Sequence, residues 1–481
     1  MVFPLQQFVI QLKHGWHNKV GRGNSPKTIR KSDRTFAIHH NNGEHIMAIR
    51  SILELERDTV RKVTKRLLPF LFICFFISIL DRVNISFAAL QMNADLGFSN
   101  TVFGIGAGIF FFGYFLLEVP GSAVMAKVGA RKWICRIMVS WGILAIIMAF
   151  IQTSWQFYII RFLLGVAEAS FYPCMVHYLS GFYQTKYHAR AIAAFMLAIP
   201  GANALGSPLS TFLIGIEGLG LAGWQWMFII EALPAVILGG ICYFYLTDSI
   251  EKAHWLDNEE KNWLIETLNI EQKVKQDVKH YMFMEALKDK TVLWLSVSYF
   301  FWMMGYYGIN MFLPTISQAI SATASISLQS LGWIIGLLYF ISMIVMLLVG
   351  NHSDKTQERP WHVAGCLVIS ALGLMAATYV ADINIWLAFI FLAVALCGAF
   401  GAFPPFWAIP PSFITGAAAG GAIALINSIG NLGGFFGPAI VGYLKELTGS
   451  FNTAIAFLGI SMLASGIIIV LSARKKQKEL A

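Results

Sequence analysis

Charged side chains are scarce in this chain of 481 residues: 13% are Asp, Glu, Lys or Arg, against about 25% in soluble domains. Cysteine is scarce as well. The six, at positions 74, 135, 174, 242, 366 and 397, each stand alone in an apolar run. No Cys-x-x-Cys and no Cys/His cluster occurs, so neither a disulfide framework nor a metal site is expected. There is no P-loop, no strand–Gly-rich–helix pattern and no Ser/His/Asp constellation, which argues against an enzyme and predicts no cofactor. The first 66 residues lack the apolar core of a cleaved signal peptide. What the chain has in excess is hydrophobic: 57% of its residues, with 38 Phe and 14 Trp.

That material is arranged in long runs. The stretch Leu67–Leu90, LLPFLFICFFISILDRVNISFAAL, is long enough to cross a bilayer, which takes roughly 20 mostly apolar residues. Eleven more such segments lie near 102–125, 133–151, 155–179, 190–216, 224–246, 291–317, 329–350, 361–381, 384–406, 417–442 and 452–473. The spacing predicts an all-α membrane protein of twelve transmembrane helices in two six-helix bundles, one at 67–246 and one at 291–473. Residues 1–66 form an N-terminal cytoplasmic segment. Within it 1–46 reads as unstructured, and Met47 is an alternative start that would make 1–46 an over-called extension. Residues 247–290 form a linker, where Asp257 and Glu260 have the spacing of a capping box ahead of an amphipathic helix. Residues 474–481 are a basic tail.

The formal net charge of +9 is a topology signal and not a nucleic-acid signal. Of the 35 Lys and Arg, Arg82 and Arg161 fall inside spans and Lys445 on the side away from the termini; all the others fall on the side the termini share. By the positive-inside rule both termini are cytoplasmic.

Ionisable residues within the spans carry the functional reading, because each costs about 2.5–3.5 kcal/mol at a helix centre and faces protein or a water-filled cavity. The first six spans hold Asp81, Arg82, Glu118, Arg161, Glu168 and Glu231; the last six hold none, with Asp354, Arg359, Lys445 and Glu446 assigned to loops. The carboxy-terminal bundle offers neutral groups such as Tyr306, Tyr307, Asn310, Trp407, Asn427 and Asn431. Arg161 and Glu168 lie on one helix face, roughly 10.5 Å apart along the axis, and the expected partners are Asp81 for Arg161 and Arg82 for Glu168. One reading is a static salt-bridge set. The other has Arg82 forking onto a substrate carboxylate while Asp81 or Glu168 takes up a proton. Glu118 and Glu231 read as structural or gating residues. Glycines clustered in the second and eleventh spans read as close helix packing.

Five stretches resemble a known family: LPFLFICFFISILDRVNISFA, RFLLGVAEASFYP, GWQWMFIIEALPA, AHWLDNEEKNWL and ALINSIGNLGGFFGP. Over about residues 60–475 the chain resembles the major facilitator superfamily, and within it the anion:cation symporters that include bacterial tartrate, phthalate and 4-hydroxyphenylacetate carriers. The resemblance implies a monomeric carrier in the bacterial inner membrane that imports a small organic anion with protons by alternating access. It implies substrate contacts at Arg82, Tyr307 and Asn427, to which Tyr114 and Trp407 are added as candidates, and proton coupling at Asp81 and Glu168 with Arg161. Asp354, Arg359, Glu118 and Glu231 are the gating or structural candidates. The acid usual between the second and third spans is replaced by Ala126, so a charge latch there is not expected. The competing readings are a carrier for a neutral solute such as a sugar, and a transport-inactive membrane sensor.

Overall fold

The computed structural model describes residues 31–276, 289–321, 325–410 and 417–480. The chain divides into two units, Met1–Asp58 and Thr59–Ala481. The described residues form helices joined by short turns, and among them the only β-pairing is an isolated bridge between Gly218 and Leu221. In chain order these are α1 (Lys31–Leu96), α2 (Asn100–Val128), α3 (Ala130–Ile147), α4 (Ser154–Glu168), α5 (Phe171–Ser180), α6 (Thr185–Met196), α7 (Ala198–Ile214) and α8 (Gly223–Tyr245). There follow α9 (Asn258–Gln276), α10 (Lys290–Ser321), α11 (Leu328–Thr356), α12 (Arg359–Val380), α13 (Ile385–Gly401), α14 (Phe403–Trp407), α15 (Ala417–Thr448) and α16 (Phe451–Leu480). Among the described residues twelve spans are long and apolar enough to cross a membrane. The fourth is built from α4 and α5, and the tenth from α13 and α14.

Four helix starts on the side away from the termini are marked by local capping. The Ser99 side chain accepts from the Val102 N–H, and the Ser327 side chain from the Ser330 N–H. Asn384 accepts from the N–H groups of Trp386 and Leu387. Thr153 and Gln156 form a full capping box. Each cap satisfies backbone donors that a helix start leaves open.

Three sequence expectations change. Residues 31–46, read as unstructured, belong to α1, because a helix already nucleated over Glu54–Arg66 gains one hydrogen bond per residue as it extends. Residues 1–30, which hold the rest of that segment, lie outside the described residues, as do linker residues 277–288. Asp354 lies in the last turn of α11 and Arg359 in the first turn of α12, not in a loop, and Lys445 and Glu446 lie in the last turns of α15. A cation suits a helix C-terminus, and Lys445 Nζ donates to the Gly449 carbonyl at 2.7 Å.

One arm of the capping box predicted in the linker is present, the Asp257 N–H donating to Glu260 Oε2 at 2.9 Å. Lys62 of α1 clamps this start, 2.9 Å from Asp257 Oδ2 and 2.8 Å from Glu260 Oε1. The hydrogen bond from Lys62 holds the Asp257 carboxyl below the ordinary carboxylate range. Its contribution is therefore present at neutral pH and is lost as the pH falls through the depressed value. Leu256 and Leu264 are buried against the core, and Trp255 and Trp263 pack on its edge, which is the amphipathic seating the sequence predicted.

In the first bundle α2 packs on α4 and α3 on α8; in the second α10 packs on α15 and α16, α12 on α13 and α16, and α11 on α13. The bundles meet along α2/α15 and α7/α11. At the first seam a Cβ on Gly104 would lie 2.3 Å from the Pro438 carbonyl oxygen, so the two backbones touch and only glycine fits. Within the first bundle Gly165 is tighter: its Cβ would lie 1.9 Å from the Phe110 carbonyl oxygen. Gly165→Ala should therefore separate α2 from α4 and destabilise the protein by about 1–3 kcal/mol, the usual range for overpacking. Gly240→Ala is the control, since a Cβ there meets nothing within 4 Å. Thermal unfolding of the two purified variants checks this; equal melting temperatures would contradict the packing.

Candidate functional site

Four polar residues within two turns of α1 define the site: Ser78, Asp81, Arg82 and Asn84. Ser78 and Arg82 are four apart and so share a helix face. Both meet Glu168, the last residue of α4: Ser78 Oγ donates to Glu168 Oε1 at 2.9 Å, and Arg82 Nη2 bonds the same oxygen. The pair is nearly sealed, with side-chain exposures of 14% for Arg82 and 4% for Glu168. The expected pairing of Arg82 with Glu168 is therefore present. The Tyr307 side chain of α10, in the other bundle, lies close enough to feel the Arg82 charge. Its guanidinium carbon lies 5.3 Å from the Phe110 ring centre and 5.4 Å from that of Tyr114. Tyr307 closes the set, its ring 4.0 Å from that of Phe111. Arg82 thus stands where the two bundles meet, walled by aromatic rings.

The helix carrying Glu168 stops at that residue. Ala169 leaves the helical region, and Ser170 adopts a left-handed φ of 70°. A non-glycine residue in this region costs roughly 1–2 kcal/mol and persists where its surroundings hold it. Trp133 Nε1 donates to Ser170 Oγ at 3.4 Å, and the Cys174 N–H to the Ser170 carbonyl at 2.9 Å.

The expected pairing of Asp81 with Arg161 is not present. Asp81 lies about 100° around α1 from Arg82, and its Oδ2 accepts from Trp141 Nε1 of α3 at 2.7 Å. Arg161 is 2% exposed and turns to α2 instead, donating from Nε to the Gly106 carbonyl at 3.2 Å and from Nη2 to the Ala107 carbonyl at 3.1 Å. The reason is proximity: Gly106 and Ala107 lie on the helix that packs directly on α4, and a guanidinium has donors enough to take two carbonyls.

Glu118 of α2 crosses to the other bundle. Its Oε1 accepts from Asn427 Nδ2 at 2.6 Å and its Oε2 from Ser428 Oγ at 3.1 Å. Asn427, a substrate-contact candidate from the resemblance, is thus held by Glu118 in this structure, and Glu118 takes the bundle-bridging position a gate residue would need. Glu231 of α8 accepts from Ser210 Oγ at 2.7 Å. Trp407 lies against Tyr299 at 5.1 Å between ring centres. Arg359 Nη1 donates to the Ala408 carbonyl at 2.7 Å, tying the start of α12 to the end of the tenth span. The Asp354 side chain is exposed. Of the residues that sequence reasoning missed, Ser78 had a signal, one turn before Arg82 on its face. Trp141 and Ser210 had none, since their partners lie 60 and 21 residues away. Among the described residues no group of His, Cys, Asp and Glu could hold a metal ion.

A family model described as Major Facilitator Superfamily matches residues 71–438 and, in a second match, 319–480. Two proteins of Agrobacterium vitis, provisionally named as tartrate transporters, are each 46% identical, one over 426 residues covering 88% of this chain and 93% of that protein. A quinolone resistance transporter of Acinetobacter baumannii is 37% identical over 89% of this chain and 98% of its own length. Among solved structures, a D-xylose–proton symporter superposes with a TM-score of 0.65 at 14% identity, covering 85% of this chain and 97% of that one. A bacterial homologue of the human lysosomal transporter Spinster, inward-facing and occupied, gives 0.66 at 15% identity, covering 85% of this chain and 94% of that one.

The Trp141–Asp81 bond can be tested alone. Trp141→Phe removes the N–H and keeps most of the ring volume, so it should destabilise the protein by about 1–3 kcal/mol, the range for leaving a buried acceptor unsatisfied. Asp81→Asn keeps an acceptor oxygen and should cost less. Thermal unfolding in detergent that ranks the two variants the other way round would refute the assignment.

Proposed function

This chain belongs to the Major Facilitator Superfamily and is an integral, multi-pass membrane transporter, and we propose that it imports a small carboxylate, tartrate or a relative of it, together with protons. The observation that carries this is the position of Arg82. It is a buried guanidinium paired with one carboxylate, Glu168, and close to the Tyr307 phenol of the other bundle. A substrate carboxylate can replace Glu168 in the two-point fork that guanidinium and carboxylate share. Glu168, deprived of its cation in a low-dielectric site, then takes a proton, because an isolated buried carboxylate costs far more than a neutral one. Substrate and proton are therefore loaded by one exchange of partners, with no cofactor.

The names of the relatives support tartrate as the first compound to try. The aromatic walls formed by Phe110, Phe111, Tyr114 and Tyr307 would seat the rest of the anion, and the Glu118–Asn427 contact would break and re-form as the bundles rock in alternating access. The distribution of Lys and Arg supports a membrane orientation with both termini cytoplasmic, as in a bacterial inner membrane. Nothing in the seam requires a second subunit, and the proposed unit is the monomer.

Uptake into proteoliposomes tests the reading. The panel is labelled tartrate, phthalate, 4-hydroxyphenylacetate, a sugar acid and a neutral sugar, each with and without an inward proton gradient. Gradient-dependent uptake of one acid is expected, and Arg82→Lys should lower it by about tenfold or more because an ammonium lacks the planar fork. Uptake of the neutral sugar alone, or acid uptake indifferent to the gradient, would overturn the proposal.

A further inference from the structure

The face of α1 turned away from Arg82 carries a second group of polar side chains that the substrate exchange does not use. Asp81 Oδ2 is bound by Trp141, but Asp81 Oδ1 has no hydrogen-bond partner. Glu231 Oε1 is bound by Ser210, but Glu231 Oε2 has none. Asn84, one turn beyond Asp81 on the same face, has no partner for either its oxygen or its nitrogen. All three side chains are buried, Asp81 at 9%, Asn84 at 1% and Glu231 at 2% exposed. They also converge. Trp141, which bonds Asp81, precedes Gly142, whose Cβ would lie 3.3 Å from the carbonyl oxygen of Ala232, the neighbour of Glu231, and a Cβ on Gly206, one turn before Ser210, would lie 2.5 Å from Leu80, the neighbour of Asp81; at this range Asn84 and Asp81 both act on Glu231. Four buried polar atoms without partners on one patch are costly if nothing binds there.

The patch has no cation of its own. Arg82 faces Glu168, and Arg161 is fixed on the Gly106 and Ala107 carbonyls. The other groups turned to it are the Trp141 indole N–H from α3, the Ser210 hydroxyl from α7 and, more distantly, the Glu168 carboxylate from α4. Two carboxyls that share a buried site without a counter-ion do not both ionise.

We propose that Asp81, Asn84 and Glu231 form a proton-binding site separate from the Arg82–Glu168 pair, in which the two carboxyls hold one proton between them and the Asn84 amide bridges the free oxygens. The proton leaves or enters as a single event of the pair, Asp81–H and Glu231 carboxylate or the reverse, so charge balances without any further group. Glu231 is thereby a proton-binding residue on the sixth span and not only a packing residue. The role of this site in coupling rests on the symport reading above, but its existence does not.

Infrared difference spectroscopy of the purified full-length protein, titrated with pH in detergent without substrate, tests the site. The wild type should show the carbonyl stretch of a buried protonated carboxyl that disappears at high pH. Asp81→Asn should keep a band from Glu231 but move its midpoint down by about one pH unit or more, because the neighbouring acid no longer raises the cost of ionising it. Glu231→Gln should do the same to the band from Asp81. Ser210→Ala, which leaves both carboxyls in place, should shift the stretch frequency and serves if either acid variant does not fold. A wild-type spectrum without such a band, variant midpoints equal to that of the wild type, or a band untouched by Ser210→Ala would overturn the proposal. If proteoliposomes show no proton-driven uptake while the band behaves as described, the symport reading fails and the site stands; the opposite pair of results removes the site and leaves the symport reading.

Discussion

The structure turns on a guanidinium buried where two helix bundles meet. Removing a charge this size from water is repaid only by a partner of opposite sign and by hydrogen bonds to its remaining donors. Glu168 supplies the partner, and the Tyr307 phenol lies nearby. Because Glu168 belongs to the first bundle and Tyr307 to the second, the stability of Arg82 depends on how the bundles are placed. The interruption of the fourth span follows from the same need. α4 ends on Glu168, and the left-handed Ser170 lets the chain resume as α5 in a new direction.

The first helix divides its polar residues between two faces. Ser78 and Arg82 look toward Glu168 and the seam; Asp81 and Asn84 look toward α3 and α8 inside the first bundle. An adjacent acid and base in the sequence therefore do not neutralise each other, because consecutive residues on a helix point about 100° apart. This separation sets one face at the seam and the other inside the first bundle. Arg161 supports both from behind by pinning the α2 backbone at Gly106 and Ala107, and that is the helix which carries Phe110 and Tyr114 to Arg82.

Much of this was legible in the sequence, and the limits have physical causes. Twelve spans could be read because each backbone must satisfy itself inside a bilayer, which leaves long apolar helices as the pattern. The Asp257–Glu260 box could be read because capping is local. The Arg82–Glu168 pair could be anticipated by counting buried charges of opposite sign. The choice of partner for Asp81 and Arg161 could not. It depends on which helices touch, and nothing near position 81 announces an indole at 141 or turns Arg161 from a carboxylate to two carbonyls. The Glu118–Asn427 contact is of the same kind, since it joins residues 309 apart. The extent of α1 was misread because composition describes a segment alone, whereas helix propagation depends on the helix it continues.

The central claim is that Glu168 and the substrate compete for Arg82, and that the displaced Glu168 carries the proton. Glu168→Gln isolates the second half of that claim, since it keeps the shape and removes the titration. The measurement is a comparison of two modes in proteoliposomes holding this variant: exchange of labelled for unlabelled substrate, and uphill accumulation driven by an inward proton gradient. The account predicts that exchange survives while accumulation falls to the level of equilibration. Accumulation at the wild-type level would contradict it and remove Glu168 from the coupling step.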